Sequence, residues 1–468
     1  MPGQVYYIDT NIGAPARLND TVAAIVKVLK PGDSVLFRSG VYTNATYGDG
    51  NIWKDGQDIV LRINGAKGAP DAPITFAAAP GERVVLRFDG NGGVRVTNSS
   101  FVNLRGFEIE GPARRIAMKD ALANQFAYRL PNDTRVYYRN PYVTLAKSVA
   151  AQGGYKPNYY NSNGVMIGSG ANHITIAGNA IHDAPGYGVS SLAGADYLTI
   201  SGNTIFNNSW WSGGAHGVSI QNVASSDAFD GVKILVEGNV LHDNYNRLIS
   251  WSLTKTAPVT LAIDEGKGIQ FQDSTAALGF AHGRIQVDDN LVVRSGNAGV
   301  STNNVERATF VFNTLADNGY VNRLIAQGLA DPKLSAAYRV TDGGVRLQGG
   351  AGIGLYNTLI AQRAGLNAIE ASQGMAAGDA DVRSNMYSGG VASNASGAPF
   401  AGGLRFVADP GFVDSAHDNY RLRASSPAVN AGANALSQGV KVDLAGNPRN
   451  DGRVDIGALE YVATTAAR

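Results

Sequence analysis

The sequence predicts an all-β fold, a parallel β-helix in which short strands wind into stacked coils behind one capping helix. Two interleaved phrases predict this solenoid. A β-branched run that ends in Asn recurs at residues 174–179, 198–203 and 234–239. A Gly-(Val/Ile)-x-x phrase precedes each run, and its copies at Gly164 and Gly188 are 24 residues apart, a spacing typical of solenoids.

Each repeat contains three short strands with alternating apolar residues, and its connections are too short for a helical crossover. The backbone N–H and C=O groups of such strands form hydrogen bonds when each strand pairs with its copy in the next coil. In the Gly-(Val/Ile)-x-x strand, the first apolar residue is expected to stack inward and the next residue to point outward. The inward set is Val165, Val189, Val218, Ile269 and Val300, and the outward set is Met166, Ser190, Ser219, Gln270 and Ser301.

The recurrent Asn marks a sharp turn between the second and third strand of each coil. Its amide is expected to bond to the equivalent residues in the coils above and below, which is a structural role. The clear copies are Asn179, Asn203 and Asn239, and the weaker copies are Asn290, Asn313 and Asn357.

The pattern predicts one domain with three parts. Residues 1–45 form a cap and the first coil. They contain an amphipathic helix at 18–29, with Asn19 or Asp20 as its N-cap and Pro31-Gly32 as its stop, and then a short strand, Ser34–Phe37. Residues 46–397 form the coils, with loop insertions near 111–163, 208–216 and 244–267, and residues 398–468 are expected to close the other end.

Composition argues against several classes of protein. The 39 Lys+Arg and 38 Asp+Glu give a net charge of +1, without the positive excess of a nucleic-acid-binding protein. No apolar run approaches the ~18 residues that a membrane span needs. The absence of Cys excludes disulfides, thiolate catalysis and Cys-ligated metal sites. The first residues show no signal peptide, so either the protein stays inside the cell or a leader was removed.

Two terminal motifs resemble those of a known family. Residues 33–42, Asp-Ser-Val-Leu-Phe-Arg-Ser-Gly-Val-Tyr, are similar to the first strand of right-handed parallel β-helix proteins of the pectate-lyase-like superfamily. Residues 454–461, Val-Asp-Ile-Gly-Ala-Leu-Glu-Tyr, are similar to a closing segment of bacterial members. The resemblance implies a right-handed coil, a saccharide cleft along the first sheet, and a secreted or periplasmic location. It leaves the reaction open, because lyases, hydrolases, epimerases, esterases and phage tailspikes share the fold.

The large loops all follow the third strand of a coil, which predicts a groove walled on one side along the outer face of the first strands. They carry residues suited to saccharides, because aromatic faces stack on sugar rings and Arg pairs with carboxylates. The predicted substrate-binding residues, in these loops and on the neighbouring coils, are Trp210, Trp211, Trp251, Tyr245, Gln270 and Arg294.

Three successive coils place candidate catalytic residues immediately before the Gly of the first strand. Tyr187, His216 and Lys267 form this column, at about the 4.8 Å spacing of paired strands. Lys267, if it is partly desolvated beside another cation, provides an amine base. Arg247, in the adjoining loop, completes the predicted catalytic set.

Acidic residues gather on the coil of Lys267. Asp264 and Glu265 precede its first strand, and Asp273 follows it. Hard oxygen ligands suit Ca²⁺, so the sequence predicts a calcium site that neutralises a uronate carboxylate and acidifies the proton alpha to it. By contrast, Asp288-Asp289 and the His-Asp pairs at 182–183 and 242–243 fall outside the predicted groove and are interpreted as structural.

The favoured hypothesis is a polysaccharide lyase that cleaves an acidic, uronate-containing polymer by β-elimination. Lys267 or His216 takes the proton alpha to the carboxylate, Arg247 or the calcium ion neutralises that carboxylate, and Tyr187 protonates the leaving oxygen. The expected partner is an acidic polysaccharide or oligosaccharide, with neither nucleic acid nor a membrane. The oligomeric state stays open.

Three alternatives also stay open: a glycoside hydrolase that uses Asp264 or Glu265, a non-catalytic glycan-binding protein, and a uronate epimerase. Residues 215–217, Ala-His-Gly, resemble the Gly-His-Gly segment of polygalacturonase-type glycosidases, which need a pair of carboxylates. The resemblance implies that these carboxylates lie in the two preceding coils. The matching positions, 161–164 and 184–187, contain no Asp or Glu, which counts against an inverting hydrolase.

Overall fold

The structure, a computed structural model, consists mainly of short β-strands. It describes residues 3–10, 18–43, 59–117, 162–192, 194–210, 215–247, 265–320, 342–372, 374–376, 378–393, 400, 402–449 and 452–463. Three further strands are described by their backbone: Phe126–Arg129, Val136–Arg139 and Leu253–Thr254.

Three long parallel sheets contain most of the strands, and the full coils visit them in one order. The first sheet contains Ile59–Asn64, Gly92–Thr97, Asn163–Ile167, Val189–Ser191, Val218–Gln221, Ile269–Ser274, Val300–Glu306, Asp342–Ala351, Asn367–Ser372 and Val391–Ser393. The second contains Val5–Ile8, Ser34–Phe37, Ile74–Ala78, Ser100–Arg105, Asn172–Ala177, Asp196–Ser201, Val232–Glu237, Arg284–Asp288, Ala308–Val311, Ile353–Tyr356 and Ala380–Arg383. The third contains Gly40–Thr43, Val84–Arg87, Glu108–Glu110, Ala180–His182, Thr204–Phe206, Val240–His242, Leu291–Val293, Thr314–Ala316, Leu359–Ala361, Asn385–Ser388 and Leu404–Phe406. This arrangement confirms the predicted parallel β-helix.

The register of the first sheet confirms the predicted inward column. Val165, Val189, Val218, Ile269 and Val300 are paired strand to strand and are at most 1% exposed. Burial of each such side chain contributes about 1.5–3 kcal/mol, so the stacked interior supplies much of the driving force for folding.

The recurrent Gly before this column is required by the close approach of neighbouring coils. A Cβ atom on Gly188 would lie 2.6 Å from the carbonyl oxygen of Gly217, and one on Gly217 would lie 2.7 Å from that of Gly268. A side chain at either position would have to move the backbone, which explains why Gly recurs there.

The Asn turn forms the predicted ladder of side-chain amides. The Oδ1 atom of Asn203 accepts the backbone N–H of Asn179 at 3.0 Å, and Oδ1 of Asn239 accepts that of Asn203 at 2.9 Å. The ladder continues through Asn290 and Asn313. The prediction was wrong for Asn357, because pairing of the flanking strands aligns Thr358 with Asn313. The Asn357 amide instead bonds to Ala433, in the segment after the coils.

A second ladder at the turn after the third strand was missed in the sequence. Asn208 accepts the backbone N–H of Ala184 at 2.9 Å, and Asn244 accepts that of Asn208 at 3.1 Å. Both side chains are fully buried. The signal was present, since Asn207-Asn208, Asp243-Asn244 and Asp317-Asn318 all directly follow third strands.

Replacement of Asn239 by Ala is expected to lower the free energy of unfolding by about 2–4 kcal/mol, because it leaves two buried polar partners without their hydrogen bonds. Asn239 donates to Ile200 O and to Asn290 Oδ1, both at 2.9 Å, and is fully buried. Chemical denaturation measures the loss. Asn103→Ala is the control, since Asn103 is half-buried and makes a 3.3 Å bond to Thr75, and a loss below about 1 kcal/mol is expected. Equal losses in the two variants would contradict a stabilising ladder.

The N-terminal helix caps the first coil, as predicted, but it spans Leu18–Val26 and ends three residues before the predicted end at 29. Asn19 is not its N-cap. The Asn19 side chain instead donates to Ile59 O and accepts the N–H of Arg62, both at 2.8 Å, and so fixes the helix to the first strand of the first sheet. Leu18 and Val22 join the core of the coils.

The segment after the last coil packs along the side of the solenoid. It contains an antiparallel hairpin, Phe412–Asp414 and Asn419–Leu422. The hairpin and the residues that follow it share an apolar cluster with the outer side of the third sheet. This cluster contains Leu291, Val293, Ala316, Leu359, Met386, Phe412, Tyr420, Leu422, Ala428 and Ile456.

The two largest insertions are joined to each other. Phe126–Arg129 and Val136–Arg139, from the insertion at 111–163, pair antiparallel, and Leu253–Thr254, from the insertion at 244–267, adds a third strand. A further excursion at 317–341, absent from the predicted set, leaves the same edge of the coils. None of the described helices is long and apolar enough to cross a membrane.

Candidate active site

The predicted column before the first sheet exists. The N–H of Gly188 donates to the carbonyl of His216 at 3.2 Å, and the N–H of Gly217 donates to that of Lys267 at 3.0 Å. Tyr187, His216 and Lys267 therefore occupy equivalent positions on three neighbouring coils, at the edge from which the insertions leave.

The side chains of this column meet around Glu265. The Lys267 ammonium forms an ion pair with the Glu265 carboxylate, and His216 Nε2 lies 3.5 Å from the same Oε2 atom. The backbone N–H of Lys267 donates to His216 Nδ1 at 3.3 Å, and the ring of Tyr187 stands edge-on to His216 at 5.9 Å. Because Nδ1 accepts this hydrogen bond, the neutral imidazole carries its proton on Nε2, facing Glu265. We call these four residues the Tyr-His-Lys-Glu cluster.

Burial fixes the protonation states of two members of the cluster. The His216 side chain is 4% exposed, and burial, assisted by the Lys267 charge, lowers its pKa well below the usual value. Burial also raises the pKa of Tyr187, and the nearby Glu265 carboxylate adds to this effect. At neutral pH the imidazole is therefore uncharged, and the phenol keeps its proton.

Arg247 is held beside the cluster by aromatic rings. Its guanidinium carbon lies 3.5 Å from the centroid of the Trp210 ring, and its Nη2 lies 3.5 Å from the hydroxyl of Tyr245. The backbone N–H of Arg247 donates to Trp210 O at 2.8 Å. Gly266 links this group to the cluster, because a Cβ atom there would lie 2.8 Å from Cα of Tyr245. The structure thus brings together Arg247, Trp210 and Tyr245 as predicted neighbours of the column.

The outer face of the first sheet is covered at these coils. Ser190, Ser219, Gln270 and Ser301 are paired in one outward row, as predicted, yet each is at most 3% exposed. Gln270 Nε2 donates to Phe271 O at 3.0 Å, and its Oε1 is buried without a partner among the described residues. The expectation of an open groove along this row is therefore wrong, whereas the Glu265 side chain of the cluster is 22% exposed.

Arg294 lies apart from the cluster. Its guanidinium binds Asp243 through Nε at 2.7 Å and Nη2 at 2.9 Å, and binds Asp418 through Nη1 at 2.5 Å. These charges raise the pKa of Arg294, although burial opposes them, and the Arg294 bond helps to lower that of Asp243 to about 2 against the opposing effect of its burial. Trp211, Trp251 and Asp264 fall outside the described residues.

The acids predicted to bind calcium do not converge. Glu265 precedes the strand Ile269–Ser274 and is paired with Lys267, whereas Asp273 lies near the other end of that strand, roughly 13 Å from its start. Asp273 accepts hydrogen bonds from Gln272 and Asn304. Among the described residues, no three His, Asp or Glu side chains are placed to hold a metal ion. Asp264, the third predicted ligand, lies outside these residues, so the calcium site, which needs six or more oxygens, stays a prediction.

The His-Asp pairs take the structural positions predicted for them. His182 and His242 each bond through Nδ1 to the next Asp at 2.8 Å, and both imidazoles stack on Phe206 between them, at 4.7 and 4.9 Å. They form a ladder on the outer side of the third sheet. Asp289 binds Arg449 of the closing segment, away from the cluster.

Comparison with known proteins agrees with this geometry. The profile of the family described as "Right handed beta helix region" matches residues 83–315. The chain has a right-handed parallel β-helix fold. No curated protein matches this β-helix in sequence.

Solved structures with the same fold include several carbohydrate-active enzymes. Pectate lyase Pel9A is 14% identical, with 99% of this chain and 97% of that chain covered and a TM-score of 0.48. An alginate lyase from Paenibacillus sp. str. FPU-7 is 13% identical, with 86% and 97% covered and a TM-score of 0.41. An exopolygalacturonase from Thermotoga maritima is 12% identical, with 83% of each chain covered and a TM-score of 0.40.

Sequence reasoning missed the role of Glu265 in the cluster. The sequence suggested a calcium ligand or a hydrolase carboxylate at Glu265, and the structure places this carboxylate between Lys267 and His216. The signal was the spacing, because Glu265 is two residues before Lys267 and therefore lies on the same coil edge.

Proposed function

We propose that this β-helix is a polysaccharide lyase that cleaves an acidic, uronate-containing polymer by β-elimination at the Tyr-His-Lys-Glu cluster. The observation that carries the proposal is the contact of one carboxylate, Glu265, with both Lys267 and His216. β-Elimination needs a base for the proton alpha to the uronate carboxylate, a positive group at that carboxylate, and an acid for the leaving oxygen. The cluster and its neighbour Arg247 provide one residue for each task.

Lys267 is the proposed base. As a neutral amine, Lys267 has a free electron pair and takes the alpha proton. The electrons of the broken C–H bond form the new carbon–carbon double bond as the bond to the leaving oxygen breaks. The raised pKa of Tyr187 keeps its phenol protonated, so Tyr187 donates a proton to that oxygen. The proton on Lys267 then returns to Tyr187, which restores the cluster.

His216 is better suited to positioning than to proton abstraction. Its Nδ1 accepts the Lys267 N–H, and its Nε2 proton faces Glu265, so neither nitrogen is available to the substrate. The neutral imidazole instead orients Glu265 beside Lys267. Arg247, whose Nε is buried without a partner among the described residues, is the proposed contact for the uronate carboxylate, and Trp210 holds its guanidinium plane in place.

A glycoside hydrolase is the second candidate, because Glu265 is the most exposed of the three central side chains. It is 22% exposed, against 4% for His216 and 6% for Lys267. A hydrolase needs a second carboxylate about 5–10 Å away. Asp264 is the sequence neighbour that would supply it.

The products distinguish these reactions. The protein is incubated with pectate, alginate, a bacterial exopolysaccharide and neutral glycans, and ultraviolet absorbance, reducing ends and polymer size are recorded. A lyase produces an absorbing unsaturated sugar from an acidic polymer. Reducing ends without that absorbance indicate a hydrolase, unchanged size with altered sugar configuration in NMR spectra indicates an epimerase, and unchanged polymer indicates a binding protein. Any of the last three results from an acidic polymer would refute the lyase.

A further inference from the structure

A cavity of about 750 Å³ lies between the third sheet and the closing segment, and none of its lining residues belongs to the Tyr-His-Lys-Glu cluster. Ala316 and Ala361, on the outer side of the third sheet, contribute apolar surface, and Phe412 and Tyr420 of the hairpin contribute aromatic surface. The two rings pack edge to face at 5.2 Å. The volume falls within the ~300–1,000 Å³ of sites that bind small molecules.

Paired charges surround this apolar surface. Arg363 Nε lies 3.0 Å from Asp317, Arg423 Nη2 lies 2.5 Å from Asp409, and Arg294 is bound by Asp243 and Asp418. Each Arg is therefore held in place by a carboxylate, and the pairs present fixed N–H donors beside fixed oxygen acceptors.

The charges of the cavity cancel. Its lining contains three Arg, at positions 294, 363 and 423, and three Asp, at positions 317, 409 and 414. An anionic ligand would have to displace a carboxylate from its guanidinium and approach the remaining carboxylates, which costs electrostatic free energy. A neutral ligand with many hydroxyl groups meets no such cost.

We propose that this cavity binds a neutral oligosaccharide, separately from the site of catalysis. A sugar ring is apolar on its faces and has hydroxyl groups at its edges, which matches an apolar floor and aromatic wall inside a rim of alternating donors and acceptors. Since two segments distant in sequence form the cavity, the docked hairpin is required for binding. Such a site would keep a neutral stretch or branch of a polymer attached to the protein.

Titration calorimetry of the full chain with neutral and uronate tetrasaccharides tests this inference. We expect a neutral tetrasaccharide to bind, Ala361→Trp to abolish binding by filling the floor, and Arg423→Gln to weaken it about tenfold by removing a charged donor. Arg383→Gln is the matched control, because Arg383 forms a comparable exposed pair with Asp381 at 2.5 Å on the second sheet. It should bind normally, as should Lys267→Met.

Three results would overturn the inference: no binding of any neutral tetrasaccharide, binding that Ala361→Trp leaves intact, or preferential binding of the uronate compound. Near-ultraviolet circular dichroism checks that each variant retains its tertiary structure, and Arg423→Gln keeps the test valid if Ala361→Trp displaces the hairpin. The two proposals can fail separately. If the protein binds a neutral tetrasaccharide but does not cleave an acidic polymer, the proposed lyase activity is wrong and the proposed binding site is retained.

Discussion

Lys267→Met is expected to lower kcat/KM for the acidic polysaccharide by about 10²–10⁴-fold, the usual contribution of a general base. Met retains most of the volume of Lys but cannot accept the alpha proton. The change also removes the cation that faces Glu265, so the carboxylate loses its partner. Initial rates of ultraviolet absorbance, at substrate concentrations below KM, measure the effect.

Lys233→Met provides the matched control for this prediction. Lys233 is fully buried and pairs with Asp227 at 2.8 Å and Asp196 at 3.4 Å, but it lies on the second sheet. This variant should lose stability and, at a temperature where it remains folded, retain its activity. If Lys267→Met retained activity while Glu265→Gln abolished it, the base would be Glu265, and the hydrolase would become the better explanation.

Arg449→Met is expected to lower the free energy of unfolding by about 3–5 kcal/mol, the cost of leaving buried charges without a partner. The Arg449 side chain is fully buried and forms ion pairs with Asp289 of the coils and Glu460 of the closing segment. It also donates to Gly457 O at 2.9 Å and lies 3.9 Å over the ring of Phe312. It therefore connects the last segment of the chain to the side of the solenoid. Denaturant unfolding measures the loss.

The loss should grow as the pH rises above about 7, where the two carboxyls of the wild-type chain begin to ionise in the folded state. Burial raises the pKa of Asp289 to about 8 and that of Glu460 to about 7, and Arg449 opposes this rise. Without Arg449 both carboxyls bind protons still more tightly in the folded state than in the unfolded chain. The stability that these two protonated carboxyls contribute is therefore fully present below the pKa of about 4 that they have in the unfolded chain. It is lost as the pH rises through their pKa values in the folded state.

Two comparisons make the Arg449 prediction specific. Arg383→Met breaks an exposed pair and should cost at most about 1 kcal/mol. Combining Arg449→Met with Asp289→Asn and Glu460→Gln removes the unpaired charges and should recover part of the stability. A loss in Arg449→Met that is small, or that does not depend on pH, would show that the network does not hold the closing segment.

The coil architecture could be predicted because its constraints are local and repeat. Val189 and Val218 are inward for the same reason, and the Gly beside each is required by the same backbone approach. The Tyr187–His216–Lys267 column follows from the repeat alone, because each of these residues immediately precedes the Gly of a first strand. Prediction from the repeat is limited where a coil departs from the pattern. The coil of Asn357 has Thr358 at the ladder position, so the prediction chose the wrong residue.

Contacts between distant segments could not be predicted in this way. Arg294 carries the charge expected of a substrate-binding residue, but its partner Asp418 is 124 positions later in the chain. The separation of Glu265 from Asp273, two of the predicted calcium ligands, was missed for a related reason. Proximity in sequence placed Glu265 and Asp273 together, whereas an extended strand separates its two ends by several ångströms for each residue. The Glu265 side chain instead points to Lys267 and forms an ion pair with it.

The break in the Asn ladder has a consequence for biosynthesis. As the nascent chain leaves the ribosome, the coils up to Asn313 find their amide partners in neighbouring coils within the growing solenoid. Asn357 instead bonds to Ala433, and its carbonyl accepts the N–H of Gly457, so this turn is completed by residues translated later. The turn at Asn357 therefore reaches its final state only after residues up to 457 have been made, and a product terminated before them would expose the outer side of the third sheet.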